Sequence, residues 1–161
     1  MEFKGADPFF GSPPWAEGVD MSFSIGDLHE RDLSRGFLET LQSLAEVDLT
    51  PDAALHVFHQ RLRAGAHTYV ARIGDKTVGS VTILVEYKFI HRGSRAAHLE
   101  DVAVHRDYQK LGIGAALVRH AIDEARRLGC YKVILNCFDK LIPFYARFGF
   151  RRQDNGMRLN L

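Results

Sequence analysis

The sequence has little of several features that would each assign it to a class of protein. Its formal net charge is only +1, so no overall positive field favours nucleic acid or an anionic membrane. Its apolar runs are far shorter than a membrane span, and its eight histidines include no HExxH pattern. We therefore expect no nucleic-acid partner, no membrane span and no metal site.

Cysteine is equally scarce. The chain has only Cys130 and Cys137, which are too far apart for a CxxC redox or zinc pair. Two core thiols in a reducing compartment are the simplest interpretation, and we expect a cytoplasmic protein.

The remaining composition is that of one ordinary globular domain. The chain has 161 residues, of which 46% are hydrophobic and 25% charged. Residues 1–20 stand apart because they are rich in glycine and proline, lack any periodic pattern and lack the basic start of a secretory signal. We interpret them as a flexible native leader or a vector-derived segment, and residues 21–161 as the folded domain.

Hydrophobic periodicity predicts the order β-α-α-β-β-β-α-β-α-β-β. The second helix starts at Thr50-Pro51-Asp52, and we expect Leu55, Phe58 and Leu62 to be its buried stripe. The strand-helix-strand unit should be parallel and right-handed, so the prediction is an α/β domain with a mixed, mostly antiparallel twisted sheet and helices on both faces. The predicted helices are 33–44, 51–62, 112–128 and 141–148, and six of the seven predicted strands are 23–25, 68–73, 77–87, 98–104, 131–137 and 157–161.

The segment Gln109–Ala115 lies between a predicted strand and the longest predicted helix. Gly112 and Gly114 allow close backbone approach, and the amides of a first helical turn can bind an anion such as a pyrophosphate. Lys110 could add positive charge. Alone, such a glycine pair is weak evidence, since most strand-helix turns are only structural.

The spacing Gln109-x-x-Gly112-x-Gly114, followed downstream by Phe144-Tyr145 and Gly149-Phe150, resembles the two motifs of the GNAT acetyltransferases. Within that superfamily, three further segments are similar to glucosamine 6-phosphate N-acetyltransferases, and the resemblance covers nearly everything after Met21. Those segments are 88–90, 99–104 and 129–135. The resemblance implies direct transfer of an acetyl group from acetyl-CoA to the amine of glucosamine 6-phosphate, a step toward UDP-N-acetylglucosamine.

The same resemblance implies roles for individual residues. The pantetheine arm would lie along one strand, the pyrophosphate at the glycine loop, and the coenzyme sulfur at Tyr145, whose phenol would be the catalytic acid. The coenzyme-binding set is therefore Val102, Ala103, Val104, Gln109, Lys110, Leu111, Gly112, Ile113, Gly114, Ala115 and Tyr145.

For the acceptor, the resemblance implies a catalytic group of Glu100, Asp101 and Asn136 beside Tyr145. Since Glu100 and Asp101 are adjacent on a strand, we expect their side chains on opposite faces, with at most one facing the pocket. The expected contacts to the sugar or its phosphate are Lys88, Glu100, Asp101, Tyr131, Lys132, Asn136 and Arg158.

Three positions depart from the family pattern. Asn136 replaces an aspartate and cannot accept a proton, Asn160 replaces a phosphate-binding arginine, and His91 replaces another basic residue. Two alternatives therefore stay open: an acetyltransferase for another small amine, such as a polyamine, an aminoglycoside or an amino acid, and a non-catalytic acetyl-CoA-binding module. The resemblance also implies a homodimer in which the C-terminal strand helps to build the partner's site.

Overall fold

The structure is a computed structural model that describes residues 2–3 and 22–161. Six strands form one sheet in the order β1-β2-β3-β4-β5-β6. All neighbouring pairs are antiparallel except β5 and β6, which are parallel, and the predicted mixed sheet is confirmed. The strands are β1 (Glu2–Phe3), β2 (Phe23–Asp27), β3 (Ala66–Ile73), β4 (Lys76–Tyr87), β5 (Arg95–Val104) and β6 (Cys130–Ile134).

The helices are α1 (Phe37–Leu41), α2 (Pro51–Arg63), α3 (Ile90–Gly93), α4 (Ile113–Arg127) and α5 (Ile142–Ala146), with 3-10 turns at Glu30–Ser34, Arg106–Tyr108 and Asp139–Leu141. Of these, α3 is only a single turn, in which His91 and Arg92 have left-handed φ values of 53° and 59°. The predicted helix 33–44 is thus divided into a 3-10 turn and α1. Between them the Arg35 carbonyl accepts a hydrogen bond from the Thr77 amide at 2.7 Å, which ties this turn to β4. No helix in the described part of the chain is both long and apolar enough to cross a membrane.

Helices cover both faces of the sheet, as predicted. Side chains alternate along β3: Tyr69 and Ala71 join the core formed with α4, whereas Val70 joins a smaller cluster with Phe37 of α1 and Phe58 of α2. The alternation separates an α4 face of the sheet from an α2 face.

The predicted buried stripe of α2 is correct only at Phe58. The helix begins as expected, with the Thr50 hydroxyl accepting a hydrogen bond from the Ala53 amide. Leu55 and Leu62 are 36% and 55% exposed. The helix is rotated so that Ala54, Phe58 and, one turn further, Arg61 lie toward the sheet.

One prediction at the chain ends needs correction, and the other falls largely outside the described residues. The expected C-terminal strand does not form: residues 151–161 are irregular and exposed, because this segment pairs with no strand of its own sheet. At the other end, Glu2 and Phe3 of the predicted flexible leader pair with Ser24 and Phe23 of β2. The rest of that leader, residues 4–20, lies outside the described residues.

The cysteines are both free, but only Cys130 is partly buried. Cys137 is exposed because β6 ends at Ile134 and the chain has already left the sheet, so the prediction of two core thiols is wrong for this residue.

Candidate active site

The glycine loop Gln109–Ala115 connects the end of β5 to α4. Gly112 is the residue before the helix and has φ 79°, a left-handed conformation that favours glycine. Leu111 and Ile113 are almost fully buried on either side of it and anchor the loop to the core. The first amides of α4 have no partner within the helix, so this loop can hold an anionic group.

Close packing determines where the start of α4 lies. A Cβ added to Gly79 of β4 would stand 2.8 Å from both Ile113 and Leu117, so the helix rests directly on the strand backbone at this point. The Gln109 side-chain amide also donates to the Val104 carbonyl at 3.4 Å. These contacts hold the loop against the end of β5.

Strands β5 and β6 separate part-way along their length. They pair from Arg95 opposite Cys130 to His98 opposite Ile134, and in the described residues no pairing follows beyond that point. The edge of β5 that faces β6 is therefore open over Leu99–Val104. The backbone groups on this edge other than the Val104 carbonyl, which accepts from Gln109, are not paired with β6.

A bulge interrupts the pairing of β5 with β4. Ser80 pairs with Ala103 and Thr82 with Glu100, so Val81 alone stands opposite two residues, one of which, Asp101, has φ 51°. The flanking Leu99 and Val102 both pack into the core on the α4 face.

Glu100 and Asp101 consequently share the α2 face. Glu100 pairs with Thr82, and the Asp101 carboxylate lies 3.4 Å from Arg61 Nη2, which also contacts Thr82. The expectation that these carboxylates lie on opposite faces is wrong, because the bulge inserts an extra residue and breaks the strand alternation.

Tyr145 lies on α5, 8% exposed, with Phe144 and Phe150 packed edge-on against its ring. Burial raises the pKa of its phenol, with a further contribution from nearby Cys137. A Cβ added to Gly114 would stand 3.5 Å from Val104 and 3.8 Å from Phe144. The structure therefore brings together the two motifs, on the glycine loop and α5, at the end of β5.

Asn136 follows β6 as Glu100 follows the paired part of β5. Each lies two residues beyond the last pair, His98 and Ile134, so the two positions flank the cleft in which β5 and the chain after β6 are no longer paired. A Cβ added to Gly156 would stand 3.3 Å from the Asn136 amide oxygen, so the C-terminal segment passes close to this position.

The predicted sugar and phosphate residues are only partly brought together. Lys88 pairs with Glu86, which also bonds His98 at 3.0 Å. The Tyr131 ring lies 4.9 Å from the His91 ring, and Lys132 Nζ lies 5.4 Å from the Tyr131 ring centroid. Arg158 is in the exposed C-terminal segment and bonds Asn160.

One feature was missed by sequence reasoning. A cavity of about 390 Å³ lies between α1, α2 and the sheet, with apolar walls that include Phe37 and Phe58. Arg61, Ser80, Thr82 and Asp101 also line it, and both Arg61 Nε and the Ser80 hydroxyl are buried without a hydrogen-bond partner in the described structure. The spacing of Ala54, Phe58 and Arg61 along α2 is the sequence signal that could have placed Arg61 on this face.

Residues 31–150 match the sequence profile of the Acetyltransferase (GNAT) family. The chain belongs to the GNAT family. It is an N-acetyltransferase, and acetyl-CoA is the cosubstrate of this family. The matched residues run from α1 to α5 and so include both motifs of the candidate site.

Among curated GNAT relatives, the chain is 38% identical over 149 residues to "Glucosamine 6-phosphate N-acetyltransferase 1" of Oryza sativa subsp. japonica, an alignment covering 89% of this chain and 90% of the relative. It is 37% identical over 146 residues to the Trypanosoma brucei brucei enzyme of the corresponding name, covering 89% and 97%. A solved glucosamine-6-phosphate N-acetyltransferase from Arabidopsis thaliana superposes with a TM-score of 0.82 at 26% identity, covering 86% of this chain and 97% of the other.

Proposed function

We propose that this GNAT enzyme transfers the acetyl group of acetyl-CoA directly to the amine of glucosamine 6-phosphate. The observation that carries the proposal is the approach of the glycine loop and α5 at the end of β5, where Gly114 lies against Val104 and Phe144, next to the bulge at Asp101. Two relatives that align over nearly nine tenths of the chain carry this activity in their names.

The coenzyme site is formed by two backbone surfaces. The amides of Gln109–Ala115 at the start of α4 suit the pyrophosphate, with Lys110 adding charge. The open edge of Val102, Ala103 and Val104 suits the pantetheine arm. Bound there, acetyl-CoA supplies an activated acyl group, and the amides of β5 would hold the carbonyl oxygen as negative charge develops on it.

Tyr145 would donate its proton to the departing sulfur. Because burial raises the pKa of this phenol, the group stays protonated through neutral pH and is available as a donor. No covalent intermediate on the enzyme is required. Cys137 is exposed, and its sequence neighbours Asn136 and Phe138 are not bases that could activate it as a nucleophile.

The amine arrives protonated and must lose a proton before it attacks. Asn136 can orient the amine through its carbonyl oxygen but cannot accept that proton. The role would then belong to Glu100 or Asp101, which the bulge places on one face, directly or through water. Lys88, Tyr131 and Lys132 at the other end of the cleft would contact the sugar and its phosphate.

We also propose that the enzyme is a cytoplasmic homodimer. Its cysteines are free, as in a reducing compartment. Met157, Leu159 and Leu161 are 98%, 84% and 117% exposed in an irregular segment whose sequence alternates apolar and polar residues. Such a segment can complete a strand pairing on a second copy, and would carry Arg158 toward the partner's site.

The decisive test is acetyl transfer to glucosamine 6-phosphate against glucosamine, followed by thiol release and by mass detection of the product. We expect kcat/KM to be at least tenfold higher for the phosphate ester, equivalent to about 1.4 kcal/mol of binding. Equal values would reject the sugar phosphate. The second candidate is then another small amine, because Asn136 and Asn160 depart from the pattern of the sugar-phosphate enzymes. If the protein binds the coenzyme but yields no acetylated product, it is a binding module.

A further inference from the structure

Asp101 is held in a conformation that an aspartate adopts at a cost. Its φ of 51° lies inside a strand, at the bulge where β5 loses its register with β4. Such a residue stays in place only when its surroundings hold it there. The next residues, Val102–Val104, carry the backbone groups that the proposed reaction uses, so whatever holds Asp101 also orients them.

Arg61 of α2 makes that contact. Its Nη2 donates to the Thr82 hydroxyl at 2.8 Å and lies 3.4 Å from both the Thr68 hydroxyl and the Asp101 carboxylate. The two threonine hydroxyls are 3.0 Å apart and buried. One guanidinium group thus links α2 to β3, β4 and the bulge of β5.

The arrangement is better suited to positioning than to stability. The Arg61 and Asp101 side chains are 36% and 45% exposed, and ion pairs with this exposure contribute little to folding. The buried hydroxyls of Thr68 and Thr82 nevertheless hold the guanidinium in place. The positive charge that faces Asp101 is therefore fixed in position, unlike that of a mobile arginine on the surface.

We propose that Arg61 is a positioning residue for acetyl transfer: it holds Asp101 in the left-handed bulge and so sets the orientation of the Val102–Val104 backbone. The inference rests on the proposed function of β5. Arg61 acts through Asp101 from the α2 face and not by contact with the coenzyme, whose glycine loop packs into the core on the α4 face.

The first experiment compares Arg61→Gln with Arg63→Gln, which removes the same charge from an exposed position two residues along α2. We expect Arg61→Gln to lower kcat about ten- to a hundredfold, with the melting temperature nearly unchanged. Arg61→Lys should recover part of the loss, since one ammonium group cannot bridge Thr82 and Asp101 as the guanidinium does. Equal rates for Arg61→Gln and Arg63→Gln would overturn the proposal.

A double-mutant cycle tests whether the effect passes through Asp101. If it does, Arg61→Gln should add less than about twofold to the loss in kcat already caused by Asp101→Asn. Fully multiplicative losses would mean that Arg61 acts by another route, and the inference would be wrong.

A readout without turnover separates this inference from the proposed function. In ¹⁵N-labelled protein, Arg61→Gln should shift the amide resonances of residues 100–103, and Arg63→Gln should leave them in place. Unmoved resonances in Arg61→Gln would overturn the inference even in an active enzyme. Absence of acetyl transfer in the parent protein would instead reject the proposed function and leave the amide shifts to decide the role of Arg61.

Discussion

At the residue scale, two buried tyrosines with raised pKa values offer a matched comparison. Tyr145 lies beside the glycine loop, whereas Tyr69, whose pKa burial raises to about 12, donates to Glu124 on the α4 face. Tyr145→Phe should lower kcat by about 10²- to 10⁴-fold because the proton donor is lost and the ring is kept. Tyr69→Phe should leave kcat near that of the parent. Steady-state kinetics and calorimetric measurement of coenzyme binding check both variants. Unchanged turnover in Tyr145→Phe would show that Tyr145 is not the catalytic acid.

Another residue pair concerns folding rather than catalysis. Asp32 is 1% exposed, and the Arg72 Nε donates to its carboxylate at 2.8 Å. Burial alone would raise the pKa of Asp32, but hydrogen bonds from Arg72, the His29 amide and Thr77 outweigh it and hold that pKa below its usual value. Arg72→Met should destabilise the fold by about 3–5 kcal/mol, since it leaves a buried charge without a partner.

The sign of the pH dependence follows from the same shift. Because the pKa of Asp32 is lower in the folded state, its contribution is present above the unfolded value of 3.8 and is lost as pH falls through the folded value. Urea unfolding between pH 3 and pH 7 measures it. Asp75→Asn, at an exposed ion pair, should change stability by less than about 0.5 kcal/mol. A similar loss of unfolding free energy in Arg72→Met and in Asp75→Asn would contradict the argument.

At the element scale, the loop before α4 makes a steric prediction. Gly112→Val should weaken acetyl-CoA binding at least tenfold, about 1.4 kcal/mol, because a branched residue resists the left-handed φ of 79°. A methyl group at Gly114 would be in ordinary van der Waals contact with its neighbours. Gly114→Ala should therefore bind acetyl-CoA more tightly than Gly112→Ala does. Gly74→Val, at φ 55° in the β3–β4 turn, controls for strain away from the site. Titration calorimetry would reject the loop as the pyrophosphate site if Gly112→Val bound like the parent.

At the scale of the whole molecule, the exposed C-terminal segment predicts the oligomeric state. Sedimentation equilibrium should give twice the chain mass of 18.2 kDa, and deletion of residues 156–161 should shift the protein toward monomer. The deletion should also raise the KM for the sugar phosphate, since Arg158 is lost with the segment. A full-length chain that stays monomeric at micromolar concentration would exclude the dimer.

The sequence alone was enough for the glycine loop, the two GNAT motifs and the order of the main elements from β2 to α5, but it predicted neither β1 nor α3. These depend on local patterns: hydrophobic periodicity, a Thr-Pro helix start, and glycines where a positive φ is needed. Leu55 and Leu62 show the limit of that reasoning, because the same periodicity is compatible with more than one rotation of α2 against the sheet.

Tertiary structure decided the features that depend on contacts between distant parts of the chain. The bulge that puts Glu100 and Asp101 on one face arises from the pairing of β5 with β4, and Arg61 reaches Asp101 only because α2 packs over that point. Pairing also explains the C-terminal residues. Their alternating sequence is that of a strand, but a strand exists only where another backbone supplies its hydrogen bonds, and for residues 157–161 the chain's own sheet supplies none.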